Sequence, residues 1–182
     1  MSKNLLVVVD MQNDFIDGVL GTPEAVAIVP AVKEKIKQYR EDGNLILFTA
    51  DTHGENYLDT QEGKRLPVPH CIENTDGWKI REELLTEDGA DNGVCKPTFG
   101  CLDIRNVIYE ILNEEELSIE DIDCIELVGL CTDICVISNA MILKASFPET
   151  RIVVDSECCA GVTPKRHNTA LAAMTCCQID VI

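Results

Sequence analysis

The sequence predicts an α/β fold in three layers, a parallel sheet covered by helices on both faces, with residues 1–182 forming one domain. Two observations carry this expectation. Short apolar, β-branched runs alternate with longer segments whose apolar residues recur at helical spacing. The short runs, such as LLVVV (5–9) and LILFTA (45–50), are apolar at successive positions, so both faces of each strand must be covered. At 182 residues and 46% hydrophobic content the chain can bury a core of that kind.

Taken in order, LLVVV is the first strand and a loop rich in Asp and Gly follows it. Residues 24–42 show helical spacing and stop before Gly43, a residue suited to end a helix. Pro30 within that stretch could mark its true start, with residues 25–29 as a lead-in. LILFTA is the second strand, and residues 52–77, polar and interrupted by prolines, read as a long loop. WKIREELL (78–85) reads as a short helix, residues 87–93 as a turn, VCKP (94–97) as a strand and residues 102–117 as a helix. IELVGL (125–130), a helix from Thr132 to about Ser146, RIVVD (151–155), a helix from Pro164 to about Cys177, and a last strand in QIDVI (178–182) complete the series.

The formal charge is −17, from 32 acidic and 15 basic residues. A field of that sign repels nucleic acid and anionic lipid, so neither is an expected partner, and a small neutral substrate fits better than an anionic one. No apolar stretch is long enough to span a bilayer, and MSKNLLVVVD reads as a first strand and not a signal peptide. Cytoplasmic location is therefore expected, with the ten cysteines reduced and most of them serving as small buried hydrophobes.

Ligands of open parallel sheets bind outside the carboxyl ends of the strands, and polar residues recur at those ends here. Asp10 closes the first run, Lys96 lies in VCKP, and Cys135 follows IELVGL in the first turn of a helix. A carboxylate, an amine and a thiol brought together suit a cysteine nucleophile with its proton-transfer partners. The helix start would lower the thiol pKa, and its unpaired N–H groups could hold an oxyanion. The plain readings stay open: Asp10 as a cap, Lys96 on the surface, and Cys135 as one more inert buried cysteine. A disulfide with Cys131, four residues earlier, is conceivable, although a redox pair is more often spaced CxxC. Asp51 and His53 at the next strand end, with His70, suit a divalent metal with open positions, and Glu62 could add an oxygen. Ordinary loop histidines are the alternative. His167, in PKRH, is expected on the surface.

DMQNDF (10–15), DTH (51–53), PHC (69–71), Lys96 and GLCTDICV (129–136) together resemble the isochorismatase-like cysteine hydrolases, and most of all their nicotinamidase/pyrazinamidase branch. The resemblance implies an isochorismatase-like, Rossmann-like sheet of six parallel strands. It implies Cys135 as nucleophile, Asp10 as general base and Lys96 as electrostatic partner, with a cis peptide before Cys131 and an oxyanion hole from the N–H groups of Cys131 and Cys135. Asp51, His53 and His70 match ligands that hold zinc first, and iron or manganese otherwise. Phe15 matches an aromatic of the substrate pocket, and homo-oligomers are common in the family.

The chain departs from the branch at KPTFGCLDI, where Phe99 stands in for the usual aromatic, and at RLPVPH, where a tryptophan is missing. The activity implied is metal-assisted deamidation of nicotinamide through a thioester. Hydrolysis of another amide or ureido compound is the alternative, and a non-catalytic thiol- or metal-binding protein is the alternative of another class. A vinyl-ether hydrolase is disfavoured, since that branch generally lacks the cysteine and the histidines.

Overall fold

The computed structural model describes residues 2–86 and 90–182. Six parallel strands form one sheet: β1 (Lys3–Val9), β2 (Leu45–Asp51), β3 (Gly93–Lys96), β4 (Ile122–Leu130), β5 (Arg151–Ala160) and β6 (Asp180–Val181). Their order is β3-β2-β1-β4-β5-β6. The chain winds outward from β1 in one direction through β2 and β3, and from β4 in the other through β5 and β6. The carboxyl ends of β1 and β4 therefore flank the switch point where such sheets bind ligands.

Alternation along each strand divides the core. Leu5, Val7 and Val9 of β1 face a layer built from α4 (Ile104–Glu114), α5 (Ile137–Ser146) and α6 (Pro164–Cys176). Leu6 and Val8 face α1 (Asn13–Ile16) and α2 (Pro23–Glu41), whose Ile28, Val32 and Ile36 repeat at helical spacing. Burial on both faces explains why the strands read as unbroken apolar runs. At the switch point β1 and β4 approach closely at Gly129. Its φ is +115°, and a Cβ there would stand 2.1 Å from the Val9 carbonyl oxygen.

Several boundaries differ from the sequence reading. α2 starts at Pro23, because Thr22 caps it by accepting from the Ala25 N–H at 3.0 Å, and Pro30 is carried within the helix on its exposed side. The loop of residues 52–77 contains a 3₁₀ turn (Tyr57–Asp59) and α3 (Gln61–Arg65), capped by Thr60. The segment WKIREELL does not form a helix. Lys79 O accepts from Asn13 N, and Arg81 N donates to Met11 O at 2.8 Å, so its backbone groups are taken by the chain after β1 and only Glu82–Leu84 close a 3₁₀ turn. Of the turn expected over 87–93, residues 87–89 lie outside those described. β5 runs five residues past RIVVD, to Ala160. The helix after β4 opens with a π-helical turn, Thr132–Val136, before α5 begins.

Cysteine burial is more mixed than composition suggests. Cys71, Cys101, Cys135, Cys158 and Cys159 are buried, while Cys95, Cys176 and Cys177 are exposed, the last pair because it ends α6. Among the described residues no helix is long and apolar enough to cross a membrane.

Candidate active site

Three strand ends converge. Asp10 leaves β1 with φ +47°, which turns its carboxylate into the sheet's end rather than out to solvent, and it is fully buried. Lys96 ends β3 and is 1% exposed. Its ammonium lies 2.7 Å from Asp10 Oδ2, 3.3 Å from Asp51 Oδ1 and 3.5 Å from Cys135 Sγ. Through Lys96 the Cys135 thiol is set beside the Asp10 carboxylate, whose charge it feels. The structure thus brings Asp10, Lys96 and Cys135 together, and neither the cap nor the surface-lysine reading holds.

The electrostatics differ from the helix-start expectation. Burial pushes the Cys135 thiol well above its ordinary pKa, the Asp10 charge pushes the same way, and Lys96 opposes them without prevailing. The π-turn dipole is outweighed because the sulfur is buried beside a carboxylate. Burial also raises Asp10, against the pull of Lys96. For Lys96, burial favours loss of the proton, but Asp10, Cys135 and Asp51 prevail and hold the ammonium charged. At rest the proton belongs to the sulfur, with the Lys96 ammonium between it and the Asp10 carboxylate.

The neighbouring group is Asp51, His53, Glu62 and His70, whose ligand atoms all lie within 4.8 Å of one another. His53 Nε2 is 3.1 Å from Asp51 Oδ2 and 3.8 Å from Glu62 Oε1, and His70 Nε2 is 3.7 Å and 3.8 Å from the same two oxygens. Ligands about 2.1 Å from a tetrahedral ion stand about 3.4 Å apart, so the spacing fits one. His70 Nδ1 is 2.9 Å from the Val68 carbonyl oxygen, to which it can only donate, and this leaves Nε2 as the free donor atom facing the group. Two imidazoles and two carboxylates suit zinc, and iron or manganese as well. The sequence places Glu62 in a loop; the structure places it on α3, facing the histidines.

Residues that sequence reasoning passed over hold this arrangement. Gln12 is fully buried, and its side chain accepts from Asp51 N at 2.7 Å while donating to Asp51 O at 2.8 Å and Trp78 O at 2.7 Å. Thr49 Oγ1 donates to Asp10 Oδ1 at 2.6 Å. Tyr57, 1% exposed, packs its ring 4.7 Å from His53 and 4.9 Å from His70. Asn139 donates to Cys135 O at 2.8 Å and accepts from Cys101 N at 2.9 Å, tying the turn that carries Cys135 to the loop that carries Phe99. His167 is half-buried, its Nδ1 2.8 Å from Thr132 Oγ1, because α6 packs its first turns against the π turn. Only the order DMQNDF hinted at Gln12; the others carry no local signal.

Both groups open into one cavity of about 540 Å³. Cys135, Cys131, Asp51, Glu62 and His70 line it, as do Phe15 and Phe99. The peptide bond Leu130–Cys131 is cis, as the resemblance implies. Trp78 lies outside this cavity, with its indole N–H donating to Thr52 Oγ1, so it does not replace the missing pocket aromatic.

An isochorismatase domain model matches residues 4–182. The chain is 25% identical to the nicotinamidase/pyrazinamidase of Mycobacterium tuberculosis over 97% of each chain. Among solved structures it resembles a zinc complex of pyrazinamidase from Pyrococcus horikoshii, with a TM-score of 0.77, 26% identity, and coverage of 99% of this chain and 98% of that one. It also resembles N-carbamoylsarcosine amidase from Thermoplasma acidophilum, with a TM-score of 0.73, 25% identity, and coverage of 98% and 95%.

Proposed function

The chain belongs to the isochorismatase domain family, and on that premise we propose that it is a cysteine amidohydrolase that deamidates nicotinamide to nicotinic acid and ammonia. The observation that carries the proposal is the contact of Lys96 with both Asp10, at 2.7 Å, and the sulfur of Cys135, at 3.5 Å, where Cys135 lines a cavity together with members of a metal-ligand group. The nicotinamidase relative and the zinc-bound pyrazinamidase support the choice of a pyridine or pyrazine amide.

Asp10 accepts the thiol proton as sulfur attacks the amide carbonyl. The tetrahedral oxyanion is received by the N–H groups of Cys131 and Cys135. Asp10 returns its proton to the leaving nitrogen, and ammonia departs to leave a thioester on Cys135. Asp10 then takes a proton from water, the resulting hydroxide attacks the thioester, and the acid is released as the thiol recovers its proton. Lys96 keeps its charge throughout, because the two carboxylates around it hold its proton. Asp51, His53, Glu62 and His70 would hold the divalent ion, zinc first, which when bound supplies a Lewis-acid position for a ring nitrogen. Phe15, whose ring lies 5.5 Å from His70, is placed to stack on a flat heteroaromatic ring. A ureido or other amide substrate is the second reading. The altered wall at Phe99, the missing tryptophan and the likeness to N-carbamoylsarcosine amidase favour it.

The test is ammonia release from nicotinamide by the metal-loaded protein, with Cys135→Ala as the blank. Release by the wild type alone supports the proposal. Release by both, or by neither while metal is bound, refutes it for nicotinamide.

A further inference from the structure

The excess of acid in the sequence favours a neutral substrate, yet the cavity's outer wall has the opposite charge. Its acidic lining residues, Asp51 and Glu62, both belong to the metal-ligand group. Its basic lining residues are Arg65, at the end of α3, and Arg166, in the first turn of α6. Among the described residues Arg65 has no ion pair, and the one carboxylate near Arg166 is Asp133 Oδ2, 3.9 Å from its Nη1 and beyond hydrogen-bond distance. Both guanidinium groups therefore face the cavity with no carboxylate within hydrogen-bond distance among the described residues.

The size of the cavity points the same way. A single-ring amide such as nicotinamide has nine non-hydrogen atoms. Even at a whole water's share of volume for each, about 30 Å³, it would fill only about half of 540 Å³. What remains is apolar at its rim: Leu66, Phe99 and Val162 line the cavity and are still 38%, 45% and 39% exposed. A substrate that stops at one ring leaves those side chains in water. One that extends past the ring covers them and reaches the arginines.

We infer that the substrate class is an amide or ureide whose body extends from Cys135 along the apolar rim and ends in an anionic group, a carboxylate, bound by Arg65 and Arg166. Guanidinium groups suit that end, since they present paired N–H donors to a planar carboxylate. The inference rests on the amidohydrolase reading for placing the scissile bond at Cys135, and it makes nicotinamide itself a minimal substrate that fills the inner half of the site.

The test uses nicotinamides that carry at ring carbon 6 a chain of one to three methylenes ending in a carboxylate, each matched with the isosteric methyl ketone. Equilibrium binding is measured on the metal-loaded Cys135→Ala protein, and kcat/KM on the metal-loaded wild type. At the best chain length the carboxylate is expected to be favoured at least about tenfold, the worth of one charge-assisted hydrogen bond. That preference should shrink to about twofold or less when Arg65→Gln and Arg166→Gln are introduced together. Equal affinity for acid and ketone at every chain length would overturn the inference. So would a preference that survives both substitutions, since the anion would then be held by the metal or by Lys96. A carboxylate preference in binding that depends on the arginines, without ammonia release from any compound, would keep the anion site and refute the amidohydrolase reading instead.

Discussion

Thr49→Val removes the one hydroxyl that hydrogen-bonds the proposed base. Valine matches threonine in shape, and the backbone bond from Asp10 N to Thr49 O at 3.1 Å remains. What disappears is the 2.6 Å hydrogen bond from Thr49 Oγ1 to Asp10 Oδ1, made to a carboxylate with no solvent exposure, together with the longer 3.3 Å bond that Thr49 Oγ1 accepts from Asp10 N. A hydrogen bond to a charged group is worth about 1.5–3 kcal/mol. Its loss disfavours the ionised form of Asp10, which burial already places above the ordinary carboxylate range. With ionised Asp10 as the proposed proton acceptor, kcat/KM for nicotinamide at a fixed pH on the acid side should fall about ten- to hundredfold, and it should recover as pH rises. Stability carries the same signature. A carboxylate whose folded pKa is raised contributes stability below its unfolded value and loses it as pH rises through the folded one. The variant's deficit should therefore grow toward about 1.5–3 kcal/mol as pH rises through the Asp10 titration and shrink in acid. Both quantities come from pH series, of ammonia release and of urea unfolding. A pH–rate profile that overlays the wild type would refute the assignment of Asp10 as base.

Gln12→Leu should leave two carbonyls and an N–H of Asp51 and Trp78 without partners, weakening metal binding about 10- to 100-fold in a chelator competition; unchanged affinity would show that the Asp51 backbone needs no clamp. His53→Ala should lower metal occupancy, measured by elemental analysis, with most of the activity lost alongside. Gly129→Ala, which sets a Cβ against the Val9 carbonyl at positive φ, should cost about 3 kcal/mol or more in urea unfolding. Cys135→Ala should melt close to the wild type while releasing no ammonia, since it removes one sulfur from the cavity wall.

The sheet was legible because strands buried on both faces leave unbroken apolar runs; Asp10 and Asp51 were legible because each closes such a run in charge, and Lys96 because it closes the short edge strand β3. The supporting residues were not. Gln12 and Thr49 bond to groups 39 to 66 residues away, contacts that exist only once β1 and β2 are in register. A threonine inside a strand reads as a β-branched filler until its partner is known. WKIREELL has helical spacing, but tertiary pairing with the chain after β1 prevailed over that preference. The thiol misled for a related reason. Position along the chain shows a helix start, whereas the pKa is decided by burial and by a carboxylate from the other half of the sheet.

That carboxylate also reconciles a thiol of raised pKa with its proposed role as nucleophile. The Lys96 ammonium has three N–H groups and three acceptors around it, Asp10, Asp51 and Cys135. With the thiol protonated, this buried set carries two negative charges and one positive. Ionising the sulfur while Asp10 stays ionised would add a third negative charge where water cannot screen it. Moving the proton from sulfur to Asp10 adds none, and Lys96 stays within reach of both ends of the transfer. The thiolate is therefore cheap only as the partner of a protonated Asp10, and the acid made in that step is the one the departing nitrogen needs. Burial of the set does not oppose the chemistry; it restricts the proton to the two places where the reaction uses it.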